Sequence, residues 1–483
     1  MPGARRWNWL PAPGTWKYHA LLLALGAFVL GPLGGVTASY MNFSLGFFIG
    51  GQVLAGILGS TVTYGYGADG KHGANYIQTA AASVAGMSAM GVLIQAMVWM
   101  GLPQPPVWQL VLFFLCIGMF AAGVGMMYTP ILVDRMQLTY PSGLAVANIL
   151  RALTDPVLLR QSVNKLGTGI GIGIASGIAA TKVAVLGAIE LSASTFGAGM
   201  VVGARIGIPA IVGGVLGWAL TPYFISIGWL GPNDPFRKIT FLIALGTIMG
   251  AAIVDLALIF WEAAQRLTGR HHAARTVDGR QPGEGEVRAV EQRIGPDESH
   301  EPEWRRFNMK RLAAWIAVWA AGVVATGAVV LHQPLGFMTL AIVLVFVFAM
   351  VNGISVGISD SNPISSAFVM SVVIMAALGL KDPIVGLMAG SILLIGTSVG
   401  CDMQQDRSTG WRIGTNRTIQ FRYQVAGMLV GALAAVAFAK IFMAAYPVLL
   451  QDQTVMNAAD QPANWSSAMT YKFVGILNTD EAR

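Results

Sequence analysis

An all-α, polytopic integral membrane protein is the architecture expected of this chain, for three reasons. The composition is 55% hydrophobic and only 11% charged, whereas soluble domains carry about 25% charged residues. Apolar residues gather in runs long enough to cross a hydrocarbon core about 30 Å thick, which takes roughly 20 residues per helix. Glycine is abundant, at 59 residues, and small residues let membrane helices approach closely. Together these observations argue against a large soluble enzyme.

Apolar runs along the chain predict about 12–16 transmembrane helices, including half-helices. Trp99 and Trp108 flank a turn between two runs, as expected of rings at the level of the lipid headgroups. The candidate spans cover residues 20–39, 42–63, 75–101, 107–129, 166–189, 194–219, 239–262, 312–331, 335–358, 363–380, 383–401 and 425–449.

One long polar stretch divides the sequence. Residues 263–311 mix arginine with acidic residues and show no hydrophobic periodicity, so we interpret them as a disordered cytoplasmic linker, with docking of a partner as the alternative. The linker separates an N-terminal transmembrane half, residues 1–262, from a C-terminal half, residues 312–450. A polar C-terminal tail, residues 451–483, follows.

Charge and cysteine content narrow the expected partners and location. The formal charge of +7 comes from basic residues between apolar runs, as expected of cytoplasmic loops, so the lipid bilayer is the expected partner and nucleic acid is not. We interpret the first run as a retained helix with its N-terminus in the cytoplasm, in the bacterial inner membrane. Cys116 and Cys401 lie far apart and no His or Cys cluster has metal-ligand spacing, so no disulfide, metal site or cofactor is expected.

The two halves are weakly alike, which predicts an internal duplication. A polar helix start at residues 75–80 has a counterpart at residues 362–367. A polar break with glycine at residues 134–143 has a counterpart at residues 402–410. Paired discontinuities of this kind mark the site of a transporter at the interface of its repeats.

Two of the breaks contain a proline that predicts a helix start. Pro141 suits the first turn of a helix whose N–H groups can hold an anion, although an ordinary loop before a capped helix fits equally well. Pro363 predicts that a helix restarts after Asp360 and Asn362. A carboxylate at membrane depth is costly when ionised, which makes Asp360 a candidate proton carrier; a helix cap at the interface is the structural alternative.

The densest polar segment begins at Asp402. Asp402 and Asp406 are four residues apart, so on a helix they share one face, and paired carboxylates tend to share protons. Amide groups such as Gln405 suit the amino end of a peptide-like solute. Nearby arginines suit its carboxyl group, and these are Arg407, Arg412 and Arg417. A cytoplasmic loop with ordinary charge pairs is the alternative interpretation.

Five stretches resemble elements of the oligopeptide transporter family, most closely its yellow stripe-like branch and the bacterial relatives of that branch. Residues 402–410 resemble an Asp-x-Met-Gln-Asp-x-Lys-Thr-Gly signature, with Gln404 in the methionine position and Ser408 in the lysine position. The other four occur in family order: residues 75–79 (similar to Asn-x-x-x-Gln-Thr), residues 138–143 (a helix-opening Pro-Ser-Gly), residues 197–200 with 214–218, and residues 360–362 (Thr-Asp-x-Asn, with Ser359 in the threonine position).

The resemblance implies proton-coupled symport of small oligopeptides or of peptide-like metal chelates, by a protein that is not an enzyme and holds no metal of its own. Our hypothesis is alternating access around a central polar cavity, with the chain acting alone or as a homodimer. The residues expected to contact solute are Tyr140, Ser142, Asn75, Gln78, Asn362, Gln404 and Gln405. The residues expected to cycle protons are Asp360, Asp402 and Asp406.

An intramembrane enzyme resembling a prenyltransferase is the alternative. Asp402 and Asp406 have a plausible spacing for gripping a diphosphate through magnesium. Such an enzyme needs a second acidic cluster on the other side of the metal, and none of comparable strength is present in the sequence. A channel is less favoured because the polar breaks suggest a closed binding site.

Overall fold

The structure is a computed structural model that describes residues 7, 9–46, 52–152, 155–182, 204–234, 302–360, 362–462 and 464–478, with the single residues 236, 239, 250, 254 and 261. Within these ranges the chain forms helices and no strand. Seven helical segments are long and apolar enough to cross a membrane. The predicted all-α membrane fold is therefore confirmed.

The helices are numbered in chain order. They are α1 (Trp16–Leu23), α2 (Gly31–Leu45), α3 (Gln52–Thr63), α4 (Gly70–Ser88), α5 (Val92–Trp99), α6 (Val107–Thr129), α7 (Pro141–Ala152), α8 (Pro156–Lys182), α9 (Ala204–Ser226), α10 (Met309–Ala325), α11 (Leu335–Ser359), α12 (Ile364–Ala377), α13 (Pro383–Ile413), α14 (Arg417–Ala445) and α15 (Ala468–Asn478).

Short irregular helical segments join several of these helices. A π-helical stretch, Ala24–Leu30, makes α1 and α2 one continuous span, and another, Pro130–Arg135, extends α6. Between α3 and α4 the 3₁₀ segment Tyr64–Asp69 contains a kink at Gly67, whose φ of 64° is a left-handed conformation that suits glycine. The chain therefore turns there without leaving the helical body.

Both proline-based predictions of helix starts are confirmed, and two other expectations are wrong. Helix α7 begins at Pro141, and α12 begins directly after Pro363. Helix α4 begins at Gly70, so Asn75 lies within it and does not open it. Helix α13 runs without interruption through residues 402–410, where a break was predicted. That break is unnecessary because neighbouring helices supply partners for the polar side chains while the backbone keeps its own hydrogen bonds.

The core is built around α13 and the helical segment Leu54–Trp99, which contains α4; the most apolar window of each is 94% buried. Helix α4 packs most extensively against α14, and α13 packs against α4, α6, α11 and α12. Glycines permit the closest of these approaches. A Cβ atom at Gly431 would lie 2.7 Å from Met87 Cβ, and one at Gly427 would overlap the carbonyl of Ala80. The α4–α14 interface therefore depends on small residues, as membrane helix pairs commonly do.

Part of the stretch expected as a polar tail is helical and buried. In α15, Phe473 and Val474 are completely buried. The Phe473 ring stacks on Phe368 of α12, with ring centroids 4.1 Å apart. This end of the chain is therefore packed into the body of the protein.

Several predicted features lie wholly or mainly outside the described residues. These are residues 263–301 of the predicted linker, residues 197–200 of one family-like stretch, and most of the candidate span 239–262. Residues 302–308 lead directly into α10. The division into two related halves stays a prediction.

We expect Gly427→Val to destabilise the protein, because the added methyl groups would meet the α4 backbone. Overpacking of a close helix contact costs about 1–3 kcal/mol. Thermal unfolding of the purified full chain in detergent measures this as a lowered Tm. Gly214→Val in α9 is the matched control, since a Cβ there would meet nothing within 4 Å. Equal Tm values for the two variants would contradict the close α4–α14 contact.

Candidate functional site

The two proline-marked breaks of the chain meet in space. The Tyr140 N–H donates to the carbonyl of Gly357 over 2.8 Å. The Asp360 carboxylate accepts from the Ser142 N–H over 3.2 Å, from the Ser142 hydroxyl, and from Gln405 Nε2 over 3.0 Å. Asp360 therefore caps the N-terminus of α7, where a negative charge faces the positive end of the helix dipole.

Asp360 therefore acts here as a helix cap, which was the structural alternative predicted for it. The helix that it caps is α7, whereas the sequence predicted α12. The residue is exposed, whereas Gln405 and Ser142 are half-buried. Asp360 and Gln405, expected to lie near one another, are in direct contact.

Backbone strain is concentrated at this junction. Gln137, Tyr140 and Asp360 have φ values of 50°, 43° and 62°. Such left-handed conformations are uncommon for residues other than glycine and cost of order 1–3 kcal/mol each where they are strained. Three of these residues at one junction indicate that the surrounding contacts hold the backbone in place against its local preference.

Tyr140 and Gln404 lie on the inner side of the same junction. The Tyr140 hydroxyl lies 3.2 Å from the Gly353 carbonyl and 3.4 Å from Gln404 Oε1, and both side chains are completely buried. A Cβ atom at Gly353 would overlap the Gln404 side chain. Glycine is therefore required in α11 for Gln404 to take this position.

A second polar group lies between α4 and α13. Asn75 Nδ2 donates to Gln78 Oε1 over 2.8 Å, and Gln78 Nε2 donates to Asp406 Oδ1 over 2.7 Å. Gln420 Nε2 of α14 donates to the Asp406 carbonyl over 2.9 Å and to Thr79 Oγ1 over 3.0 Å. All five residues are at most 1% exposed. Three helices thus meet around the Asp406 carboxylate.

The two acidic residues of α13 face α4, as their spacing predicts. Gln78 contacts Asp406, and a Cβ atom at Gly86 would lie 2.9 Å from Asp402 Oδ2. The helices are therefore antiparallel along this face. Asp402 is half-buried, whereas Asp406 is 1% exposed.

The other predicted solute contact, Asn362, lies at the start of α12. Its Oδ1 accepts from Asn352 Nδ2 of α11 over 3.3 Å. The structure thus distributes the predicted residues over three neighbouring groups. These are the Asp360 junction, the Asp406 cluster and the Asn352–Asn362 pair.

Partners of the cluster that sequence reasoning missed lie on α14. Gln420 bonds to α4 and α13, and Gln424 Oε1 accepts from Arg407 Nη2 over 3.1 Å. The available signal was their spacing, since two glutamines four residues apart in an apolar helix occupy one face.

An ion pair joins distant parts of the chain at one end of this region. The Arg417 guanidinium donates to both carboxylate oxygens of Asp134, over 2.6 and 2.9 Å. The Arg417 N–H also donates to the Trp304 carbonyl over 2.9 Å. The Arg417 side chain is 3% exposed and that of Asp134 is 14% exposed. This pair fixes the start of α14 to the end of the α6 span and to the segment that enters α10.

The sequence matches a family of known proteins over most of its length. The family model described as "OPT oligopeptide transporter protein" matches residues 19–478. A protein of Haemophilus influenzae named "Putative oligopeptide transporter" is 26% identical over an alignment of 429 residues, which covers 77% of this chain and 64% of that protein. The chain therefore spans less than two thirds of the length of this curated relative.

We expect Asp134→Ala to lower the Tm strongly, because it leaves the buried Arg417 guanidinium without its counter-charge. Breaking a buried pair in this way costs about 3–5 kcal/mol. The double variant Asp134→Ala/Arg417→Met should recover much of that loss, since it removes the uncompensated charge as well. Lys381→Ala, at an exposed position, is the control. A double variant no more stable than the single one would contradict this account of the pair.

Proposed function

Because the chain belongs to the OPT oligopeptide transporter family, we propose that it is a secondary transporter of small oligopeptides or peptide-like metal chelates, driven by protons across the bacterial inner membrane. The observation that carries the proposal is the junction of the two chain breaks. Ser142, from the first half of the sequence, bonds to Asp360 from the second half, and Asp360 also accepts from Gln405. Transporters place their solute where interrupted helices of two halves meet, because helix ends offer unpaired backbone groups there.

The solute contacts proposed at this junction are amides and hydroxyls. Three of these side chains are half-buried: Ser142 and Asn362 at the starts of α7 and α12, and Gln405 within α13. Tyr140 and Gln404 lie further in, and Asn75 and Gln78 lie beside Asp406. Side chains of this kind bind peptide groups, which have both hydrogen-bond donors and acceptors.

Asp406 is the proposed main site of proton coupling, with Asp402 and Asp360 nearer the solvent. Asp406 Oδ1 accepts from Gln78, whereas its Oδ2 is buried and has no partner among the described residues. An ionised carboxylate with a bare oxygen in such a place is costly. A proton on Oδ2 removes that cost, so the buried arrangement of Asp406 favours proton uptake.

The enzyme alternative has less support. Asp402 and Asp406 both face α4, and Asp406 is already bonded to Gln78. Among the described residues, no group of three or more His, Cys, Asp or Glu side chains is placed to hold a metal ion. A diphosphate held through magnesium would need acidic groups on both sides of the metal.

Proteoliposomes containing the full chain test the proposal. A pH gradient of one unit, with the acidic solution outside the liposomes, supports up to about tenfold accumulation of solute inside for each proton transported with it. We expect labelled trialanine or an iron(III) aminocarboxylate chelate to accumulate only with this gradient. In Asp406→Asn, uptake should no longer respond to the gradient, because that side chain does not change charge.

Asp460→Asn is the control for loss of a carboxylate, since Asp460 is exposed in a short 3₁₀ turn far along the chain from the site. It should respond to the gradient as the unmodified protein does. Uptake that ignores the gradient in the unmodified protein would refute proton coupling. Normal coupling in Asp406→Asn would refute the role given to that residue.

A further inference from the structure

Arg407 is a buried cation whose hydrogen bonds are incomplete. It is 1% exposed and is the largest of the fully buried side chains in the described chain. Its Nη2 donates to Gln424 Oε1 over 3.1 Å. Its Nε and Nη1 have no hydrogen-bond partner among the described residues. A guanidinium has five N–H donors, so three of them, one on Nε and two on Nη1, are left without an acceptor.

The neighbouring arginines of the same polar segment do have partners. Arg412 donates to the Thr139 carbonyl over 2.7 Å and to the Ser408 carbonyl over 3.0 Å. Arg417 is paired with Asp134. The unsatisfied donors are therefore a particular property of Arg407, which is also the most deeply buried of the three.

The partial pairing of Arg407 is unfavourable for stability. A buried cation whose hydrogen bonds are incomplete destabilises the folded protein, even where a nearby carboxylate such as Asp406 interacts with it electrostatically. The adjacent residue, Asp406, directs its carboxylate to Gln78 on α4, whereas Arg407 reaches Gln424 on α14. A buried cation that is retained although three of its five donors have no acceptor among the described residues is a candidate for binding a ligand.

We propose that Arg407 binds a carboxylate of the transported solute, with Gln424 holding the guanidinium in place. A carboxylate has two acceptor oxygens and a full negative charge, and it forms strong charge-assisted bonds with guanidinium. Both proposed solute classes carry this group: a peptide at its C-terminus, and an amino-acid-like chelate on its ligand. The inference rests on the proposed function and adds to it that the solute is recognised as an anion at this position.

The test compares solutes that differ only in that carboxylate. Full-length protein in proteoliposomes is given labelled trialanine or trialanine amide. We expect the unmodified protein to favour the acid at least tenfold, as hydrogen bonds to charged groups allow. In Arg407→Met, whose side chain is apolar and of similar length, the ratio should fall to about one. Arg407→Lys keeps the charge but loses the planar donor array, so its ratio should be intermediate.

Arg311→Met is the matched control, because Arg311 is exposed at the start of α10. It should keep the preference of the unmodified protein. A parallel series with iron(III) nitrilotriacetate distinguishes the source of the carboxylate. Loss of uptake in Arg407→Met with the chelate alone assigns the site to chelates, and loss with trialanine alone assigns it to peptides.

The Tm separates a binding role from a structural one. Among the described residues the Arg407 guanidinium donates to Gln424 and to no carboxylate. Arg407→Met therefore removes a buried charge without breaking a hydrogen-bonded ion pair, and it should unfold at the same or a higher temperature than the unmodified protein. A lowered Tm, or failure to fold, would indicate a structural role and overturn the inference.

The other outcomes are equally distinct. In one such outcome the unmodified protein takes up trialanine and its amide at equal rates, and Arg407→Met takes up the chelate normally. That result would overturn the inference and leave the proposed function standing. A full acid preference in Arg407→Met, together with unaffected chelate uptake, would do the same. If the unmodified protein accumulates neither peptide nor chelate, the proposed function fails and the inference fails with it.

Discussion

The structure depends on one constraint: polar groups within a bilayer must find their partners inside the protein. Helix α13 carries the densest polar segment of the described chain. It packs against α4, α6, α11 and α12, and neighbouring helices supply hydrogen-bond partners for its polar side chains. Gln78 on α4 bonds to Asp406, and Gln424 on α14 bonds to Arg407. Because these partners exist, α13 remains a continuous helix through a stretch that would be expelled from lipid if it were alone.

The same constraint explains why the two chain breaks meet. The start of α7 has N–H groups without helical partners, and Asp360 has a carboxylate that requires donors. Each satisfies the other, and Gln405 joins them from α13. The contact is made in a strained backbone, with Tyr140 and Asp360 both at positive φ. Strained backbone of this kind is often found at functional sites, which is consistent with the conformational change in the proposed mechanism.

The polar side chains around α13 differ in how completely their hydrogen bonds are satisfied. Arg417 and Asp134 form a complete pair that ties three segments together, and Arg412 is bonded to backbone carbonyls. Asp406 Oδ2 and two nitrogens of Arg407 have no such partners in the described chain. In the proposed mechanism, Asp406 Oδ2 takes up a proton and the free donors of Arg407 bind the carboxylate of the solute, so that the two charges are transported together.

Local patterns in the sequence were sufficient for the membrane class and for the helix starts at Pro141 and Pro363, because hydrophobicity and proline act within a few residues. The expected meeting of Asp360 and Gln405 also followed from their shared polarity in an apolar chain. The predicted break at residues 402–410 was wrong, and Gln420 and Gln424 were missed. In both cases the decisive contacts join residues far apart in the chain, for example Gln78 with Asp406. Whether a buried polar side chain ends a helix, bonds to its neighbour or is left for a ligand depends on which helices pack against it, and that information lies in the folded arrangement.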